Sequence, residues 1–273
     1  MTVAFHGKRV LITGASAGIG YALAQELAQR GAVLSLVARN AAPLERARKE
    51  LCDTVPGAQV HVYPCDVRNA NALQDTITAA AATMDGLDGV VANAGYCYAG
   101  HFGKLPVEEI VGQVETNLLG ALLTLRLALP YLQRQRSGFV GIVGSPAGSL
   151  SIYGFNVYAA TKAGLTMTAH ILRQELERYG LTVHLLLPPD TLTPGYSHEI
   201  TLYPPETRAV LAASPQYPPE EVARIFIRGI ALGKRVVTVG AANRFAMALV
   251  RYAPWIWEYY VRRCLRRVTE ETG

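Results

Sequence analysis

Charge is scarce in this chain. Only 17% of the 273 residues are charged and 50% are hydrophobic, which excludes a disordered or solvating polymer and leaves enough apolar material for a large core. Cysteines are few as well. Cys52, Cys65, Cys97 and Cys264 form no CxxC pair and no metal-ligand spacing. A zinc module and a disulfide framework are thereby excluded, and no metal site is expected. Reduced structural thiols in a cytosol-facing, cytoplasmic location are expected instead. Long apolar runs are missing too: the best candidate, 246–261, is interrupted by Arg251, Pro254 and Glu258, so no transmembrane helix is expected. A few residues precede the first apolar run, too few for a signal peptide. No internal repeat or linker divides the chain.

What is present is an alternation. Short runs at 9–13, 33–38, 59–63, 87–92, 139–143, 182–187 and 236–239 read as strands. Several are apolar almost throughout, as parallel strands covered on both faces are. Between them, 18–30, 43–52, 70–83, 106–134, 157–179 and 219–232 read as helices. This predicts an α/β fold, a doubly wound Rossmann-type parallel sheet of seven strands with helices on both faces. One domain is expected over 1–242, including a Pro- and Thr-rich loop at 188–216, followed by a basic, aromatic C-terminal helical tail at 243–273.

The first strand–helix turn, "TGASAGIG", holds Gly14, Gly18 and Gly20. Glycines there let backbone N–H groups approach a pyrophosphate at the helix N-terminus. In this fold an acid commonly ends the second strand and binds the adenosine 2′-hydroxyl. That acid is lacking: the strand ends "LVARN", and Arg39 stands there instead. A guanidinium suits a 2′-phosphate, which points to NADPH and to reduction. The plain alternative is that Arg39 is a solvated charge.

Further along, Tyr158 and Lys162 are four apart in a predicted helix and share a face. Ser145 lies thirteen residues before Tyr158, just past the fifth strand. Hydride delivery to a ketone builds negative charge on its oxygen. A tyrosine can donate a proton to that oxygen, and a nearby cation favours its phenolate by lowering its pKa. Ser145 would orient the carbonyl.

The TGxxxGxG spacing, "NAG" at 93–95, Asn117 in "TNLLG", Ser145 in "VGSPAG" and "YAATK" at 158–162 together resemble the short-chain dehydrogenase/reductase family, over most of the chain. The resemblance implies a catalytic set of Asn117, Ser145, Tyr158 and Lys162, with Lys162 also holding the nicotinamide ribose and Asn117 anchoring a water that relays protons. For the cofactor it implies Gly14, Ser16, Gly18, Ile19, Gly20, Arg39, Asn93, Tyr158 and Lys162, adenine contacts at Asp66 and Val67, and Pro188, Thr191 and Thr193 from the loop after the sixth strand. Pro189 departs from the glycine usual there and stiffens the turn. Asp190, Thr191 and Thr193 either cap that turn or bind the carboxamide.

"PPDTLTPGY" at 188–196, "LVARN" and "VRRC" are similar to stretches of the 3-ketodihydrosphingosine reductase subgroup. That similarity implies a long-chain lipid substrate with a 2-amino-1-hydroxy-3-keto head. Reductases of another lipophilic ketone, such as a steroid or a 3-oxoacyl thioester, and a non-catalytic dinucleotide-binding regulator stay open as alternatives. Most of the net +5 sits in the last thirty residues, where six Arg face three Glu. Aromatics among the arginines fit an interfacial helix on anionic lipid on a membrane's cytoplasmic face. They fit equally a helix packed on its own domain or on a partner subunit. A homo-oligomer, dimer or tetramer, is expected. No nucleic-acid module accompanies the arginines.

Overall fold

The computed structural model describes residues 5–272, with the side chains of 269–272 undescribed; Glu270 and Glu271, counted in the tail's charge, lie outside the described side chains. Strands β1 (Arg9–Thr13), β2 (Val33–Ala38), β3 (Gln59–Pro64), β4 (Gly89–Ala92), β5 (Gly138–Val143) and β6 (Leu181–Leu187) alternate with helices α1 (Gly18–Ala28), α2 (Ala41–Thr54), α3 (Ala70–Thr83), α4 (Val107–Gln113), α5 (Gly120–Gln135) and α6 (Asn156–Leu176). After β6 come the two-residue strands β7 (Asp190–Thr191) and β8 (Gln216–Tyr217), enclosing α7 (Pro194–Leu202) and α8 (Pro205–Leu211). The order continues with α9 (Pro219–Ala231), β9 (Val236–Thr238), α10 (Ala241–Tyr252) and α11 (Pro254–Thr272). The seven long strands form one sheet in the order β3-β2-β1-β4-β5-β6-β9, every pair parallel. This is the expected doubly wound sheet.

Strand alternation divides the core in two. Val10 and Ile12 of β1 and Leu186 of β6 point to one face, where α1, α2 and α9 pack through Leu23, Leu27, Leu44 and Phe226. Leu11, Leu185 and Leu187 point to the other, against α3, α5 and α6 through Ile77, Leu125, Leu132 and Leu165. Each such fully buried side chain contributes about 1.5–3 kcal/mol of transfer free energy. The order reverses between β1 and β4, so the turns leaving these two strands diverge. A crevice opens there at the carboxyl ends of the strands, where ligands bind in open α/β sheets.

Three segments differ from expectation. The helix expected over 106–134 is interrupted by a π turn, Val114–Leu119, which contains Asn117. The stretch 188–216 is largely helical. Proline suits a loop and a helix start alike, and here Pro194 and Pro205 sit at helix starts, where the missing N–H costs nothing and φ is already set. The tail begins at Ala241 and forms two helices broken between Tyr252 and Pro254.

Candidate active site

The site grows from the strand ends. At the end of β1, Thr13 Oγ1 accepts from the backbone N–H groups of Asn93 (3.1 Å) and Ala94 (3.3 Å). Asn93 Nδ2 donates back to the carbonyls of Thr13 (2.9 Å) and Gly14 (3.1 Å). The glycine turn is thus clamped to the end of β4. Gly14 has φ +66°, and a Cβ on Gly20 would lie 2.3 Å from the Gly14 carbonyl oxygen. Both positions therefore require glycine. The first turn of α1 has no side-chain cap and no acidic residue. Its orphan N–H groups and the positive end of its dipole are thus free for an anionic diphosphate.

The opposite wall is chemical. Ser145 leaves β5 and caps the short turn Pro146–Gly148, its Oγ accepting from Ala147 N at 3.2 Å. Helix α6 presents Tyr158 and Lys162. Lys162 Nζ donates to the Val143 carbonyl at 3.0 Å and lies 5.5 Å from the Tyr158 ring centroid. Ser145 and Tyr158 line the same cavity, and the Ser145 hydroxyl favours the ionised form of the phenol. Phe155 packs edge-on against Tyr158 and Tyr203, with centroids 5.6 and 5.5 Å away.

Burial dominates the electrostatics. It pushes the Tyr158 phenol well above its usual pKa; charge at Cys97, Glu199 and Asp190 acts the same way, and Ser145 opposes. Burial lowers Lys162 to about 8. The expectation that Lys162 lowers the Tyr158 pKa is not met in this geometry. The ammonium lies beside the ring and spends a hydrogen bond on Val143, so desolvation of the phenol wins.

Most of the expected site residues line one cavity of about 870 Å³: Gly14, Ser16, Gly18, Ile19, Arg39, Val67, Asn93, Ser145, Tyr158, Lys162, Pro188, Thr191 and Thr193. Gly20, Asp66 and Asn117 are not among its lining residues. Gly20 packs behind Gly14. The Asp66 carboxylate is gripped by Arg68, whose Nη2 donates to Oδ2 at 2.7 Å, and this pairing lowers the Asp66 pKa. Asn117 is buried and hydrogen-bonds the backbone of Tyr96 in both directions, Nδ2 to O at 2.7 Å and Tyr96 N to Oδ1 at 2.9 Å. Its amide therefore fixes the segment after β4 against the π turn. Thr191 donates to Pro189 O at 2.8 Å and Thr193 accepts from Tyr196 N at 3.0 Å. Both hydroxyls thus serve the turn. Arg39 is exposed and makes no ion pair among the described residues.

Sequence reasoning missed the far half of the cavity. Ile152, Phe155, Leu211, Leu249, Ile256 and Trp257 make it apolar, and Glu199 faces it from α7. The tail contributes to this wall: Trp257 Nε1 donates to Ser151 O at 3.1 Å and Tyr260 OH to Val210 O at 2.9 Å. No spacing in the sequence marks these residues, because their placement depends on how α7, α8 and α11 fold over the sheet. A crevice with orphan N–H groups at one end, a Ser–Tyr–Lys cluster in the middle and an apolar far end can bind a dinucleotide beside a lipophilic carbonyl compound.

Known proteins are similar to this chain in sequence and in fold. Residues 8–200 match the family model described as short chain dehydrogenase. The chain is 33% identical to a 3-dehydrosphinganine reductase of Arabidopsis thaliana, over 87% of this chain and 71% of that protein. It is 31% identical to a 3-ketodihydrosphingosine reductase of Bos taurus, over 88% of this chain and 73% of that one. Among solved structures, levodione reductase superposes with a TM-score of 0.81 at 26% identity, covering 89% of this chain and 99% of that one.

Proposed function

The chain belongs to the short-chain dehydrogenase family and is an oxidoreductase using a nicotinamide dinucleotide; on that premise we propose that it is an NADPH-dependent reductase converting 3-ketosphinganine to sphinganine. The observation that carries the reading is the single cavity that joins the Ser145–Tyr158–Lys162 cluster to an apolar far end. A polar, reducible head fits the first part and an alkyl chain the second. Relatives named for this reaction, aligned over most of the chain, support the substrate class.

When bound, the reduced cofactor supplies a hydride. The α1 N-terminus and the Gly14 turn would hold its diphosphate. Arg39 would pair with a 2′-phosphate, as a guanidinium does better than any neutral group. The rest falls to the chain's own side chains. Ser145 Oγ orients the ketone oxygen by hydrogen bonding. Tyr158 is protonated at neutral pH, as an ordinary phenol is and as its burial reinforces, so it holds the proton that the nascent alkoxide takes. Lys162, pinned to the Val143 carbonyl, would hold the nicotinamide ribose. Asn117 acts one step back, by fixing the Gly95–Tyr96 segment of the wall.

The outer surface of α10 and α11 supports a place of work. Phe245, Tyr252, Trp255, Ile256 and Tyr259 are exposed there, alongside exposed Arg251, Arg262, Arg263, Arg266 and Arg267. Phe245 and Ile256 also line the cavity, so the aromatic patch adjoins its apolar end. Among the described residues no helix is long and apolar enough to cross a membrane. Peripheral docking on an anionic bilayer, from which a lipid enters the cavity, fits this surface.

The reading is tested by initial rates with NADPH and NADH on 3-ketosphinganine, a steroid ketone and a 3-oxoacyl thioester. Preference for NADPH and the keto-amine is expected. Turnover of only the other ketones would overturn the substrate assignment.

A further inference from the structure

Helix α7 brings one carboxylate to the reacting centre that the mechanism above does not use. Glu199 lies in its last turn, and Oε1 accepts from the backbone N–H of Cys97 at 3.0 Å. That bond ties α7 to the segment after β4 and fixes the carboxylate on the cavity that Tyr158 and Ser145 also line. Its charge reaches both Tyr158 and Lys162. Yet Glu199 makes no ion pair among the described residues. Lys162 spends its hydrogen bond on Val143, and His198, its neighbour in α7, is exposed. Asp190, the other acid of the cavity, has the Ser214 and Tyr196 hydroxyls near enough to favour its charged form against burial. Glu199 is thus a half-buried carboxylate with no ion pair among the described residues; Lys162 and His198 act on it only at longer range, and burial, the larger influence, raises its pKa. A carboxylate taken out of water in this way is costly unless a cation comes to it.

The proposed substrate has such a cation. Its amine is on the carbon next to the ketone, so a pose that puts the ketone oxygen between Ser145 and Tyr158 also puts the ammonium beside that centre. We infer that Glu199 recognises the substrate's 2-ammonium group and makes the enzyme selective for 2-amino ketones, an inference that rests on the keto-amine reading above. The ammonium donates to the carboxylate oxygen that Cys97 leaves free. One residue thereby both anchors the wall and reads the substrate.

The test uses the full chain with NADPH and two ketones of equal chain length, 3-ketosphinganine and the 1-hydroxy-3-ketone lacking the amine. Wild type is expected to favour the amine roughly 10- to 100-fold in kcat/KM, the worth of one charge-assisted contact. Glu199→Gln keeps an oxygen for Cys97 N but loses the charge, and its preference should collapse toward unity. Glu199→Asp should retain part of it. NADPH affinity, measured by fluorescence titration, reports whether each variant is folded. For a variant that fails to fold, inhibition of wild type by a long-chain primary amine and by the matching alcohol replaces the comparison; equal potency would overturn the inference. If the wild type prefers the keto-amine and Glu199→Gln keeps that preference, the inference fails and the substrate reading stands. If wild type reduces only the amine-free ketone, both fail.

Discussion

Lys162 and Tyr158, one helical turn apart on α6, meet ring to ammonium: Nζ lies 5.5 Å from the ring centroid and donates to the Val143 carbonyl at 3.0 Å. The lysine is therefore fixed by the backbone of β5, not by the phenol oxygen. Burial is the largest influence on the Tyr158 phenol and favours its protonated form, the form a proton donor in a reduction needs. Replacing Tyr158 with Phe removes the donor and leaves the ring to pack against Phe155. A loss of at least ~10²-fold in kcat is expected, with NADPH binding retained. Steady-state rates and a cofactor titration check both parts; near-wild-type turnover would remove Tyr158 from the mechanism.

Lys162 carries a stability signature as well. Its pKa falls from 10.5 to about 8 on folding. Between these values the unfolded chain binds more protons than the folded one, so this contribution to stability rises with pH across that window. Below about pH 8 both states are charged and the burial penalty is fully felt, on the order of 3 kcal/mol from the shift. Lys162→Met should therefore be more stable than wild type at pH 7, with the gap closing toward pH 10.5. Urea unfolding of both proteins at several pH values measures it.

Arg39→Ala should weaken NADPH far more than NADH, since only the former carries the 2′-phosphate. Loss of one charge-assisted contact corresponds to about 1.5–3 kcal/mol. Equal losses for the two cofactors would show that Arg39 does not discriminate between them.

The sheet was legible in the sequence because its strands are buried on both faces. Val10–Thr13 or Leu185–Leu187 can hardly be anything but interior strand. Tyr158 and Lys162 were legible because i, i+4 spacing on a helix dictates a shared face. The helices over 188–216 were not, since proline marks a loop and a helix start alike, and only the folded chain tells Pro194 at a start from Pro188 at a strand end. The π turn at 114–119 was hidden for another reason: one extra residue per turn changes which way Asn117 points without changing the hydrophobic pattern. Glu199 and Trp257 belong to the cavity only through long-range packing, which no local spacing encodes.

The tail was legible as a basic, aromatic helix but not as divided. Trp257 and Tyr260 turn inward and hydrogen-bond Ser151 and Val210, while Trp255, Tyr259 and the arginines stay outside. Changing Arg262, Arg263, Arg266 and Arg267 to Ser should lower co-sedimentation with anionic liposomes, at about 1 kcal/mol per arginine, and high salt should do the same to wild type. Activity on a short, soluble keto-amine should persist. Absence of wild-type binding at low salt would contradict the docking surface.

The proposed reaction is hydride transfer from NADPH to the ketone carbon of a long-chain keto-amine. It is tested most directly by supplying NADPH deuterated at both C4 positions together with 3-ketosphinganine, and locating the label by mass spectrometry. The expected product is sphinganine carrying a single deuterium at C3, formed by Tyr158→Phe at least ~10²-fold more slowly. Recovery of unlabelled substrate, or label on another carbon, would contradict it.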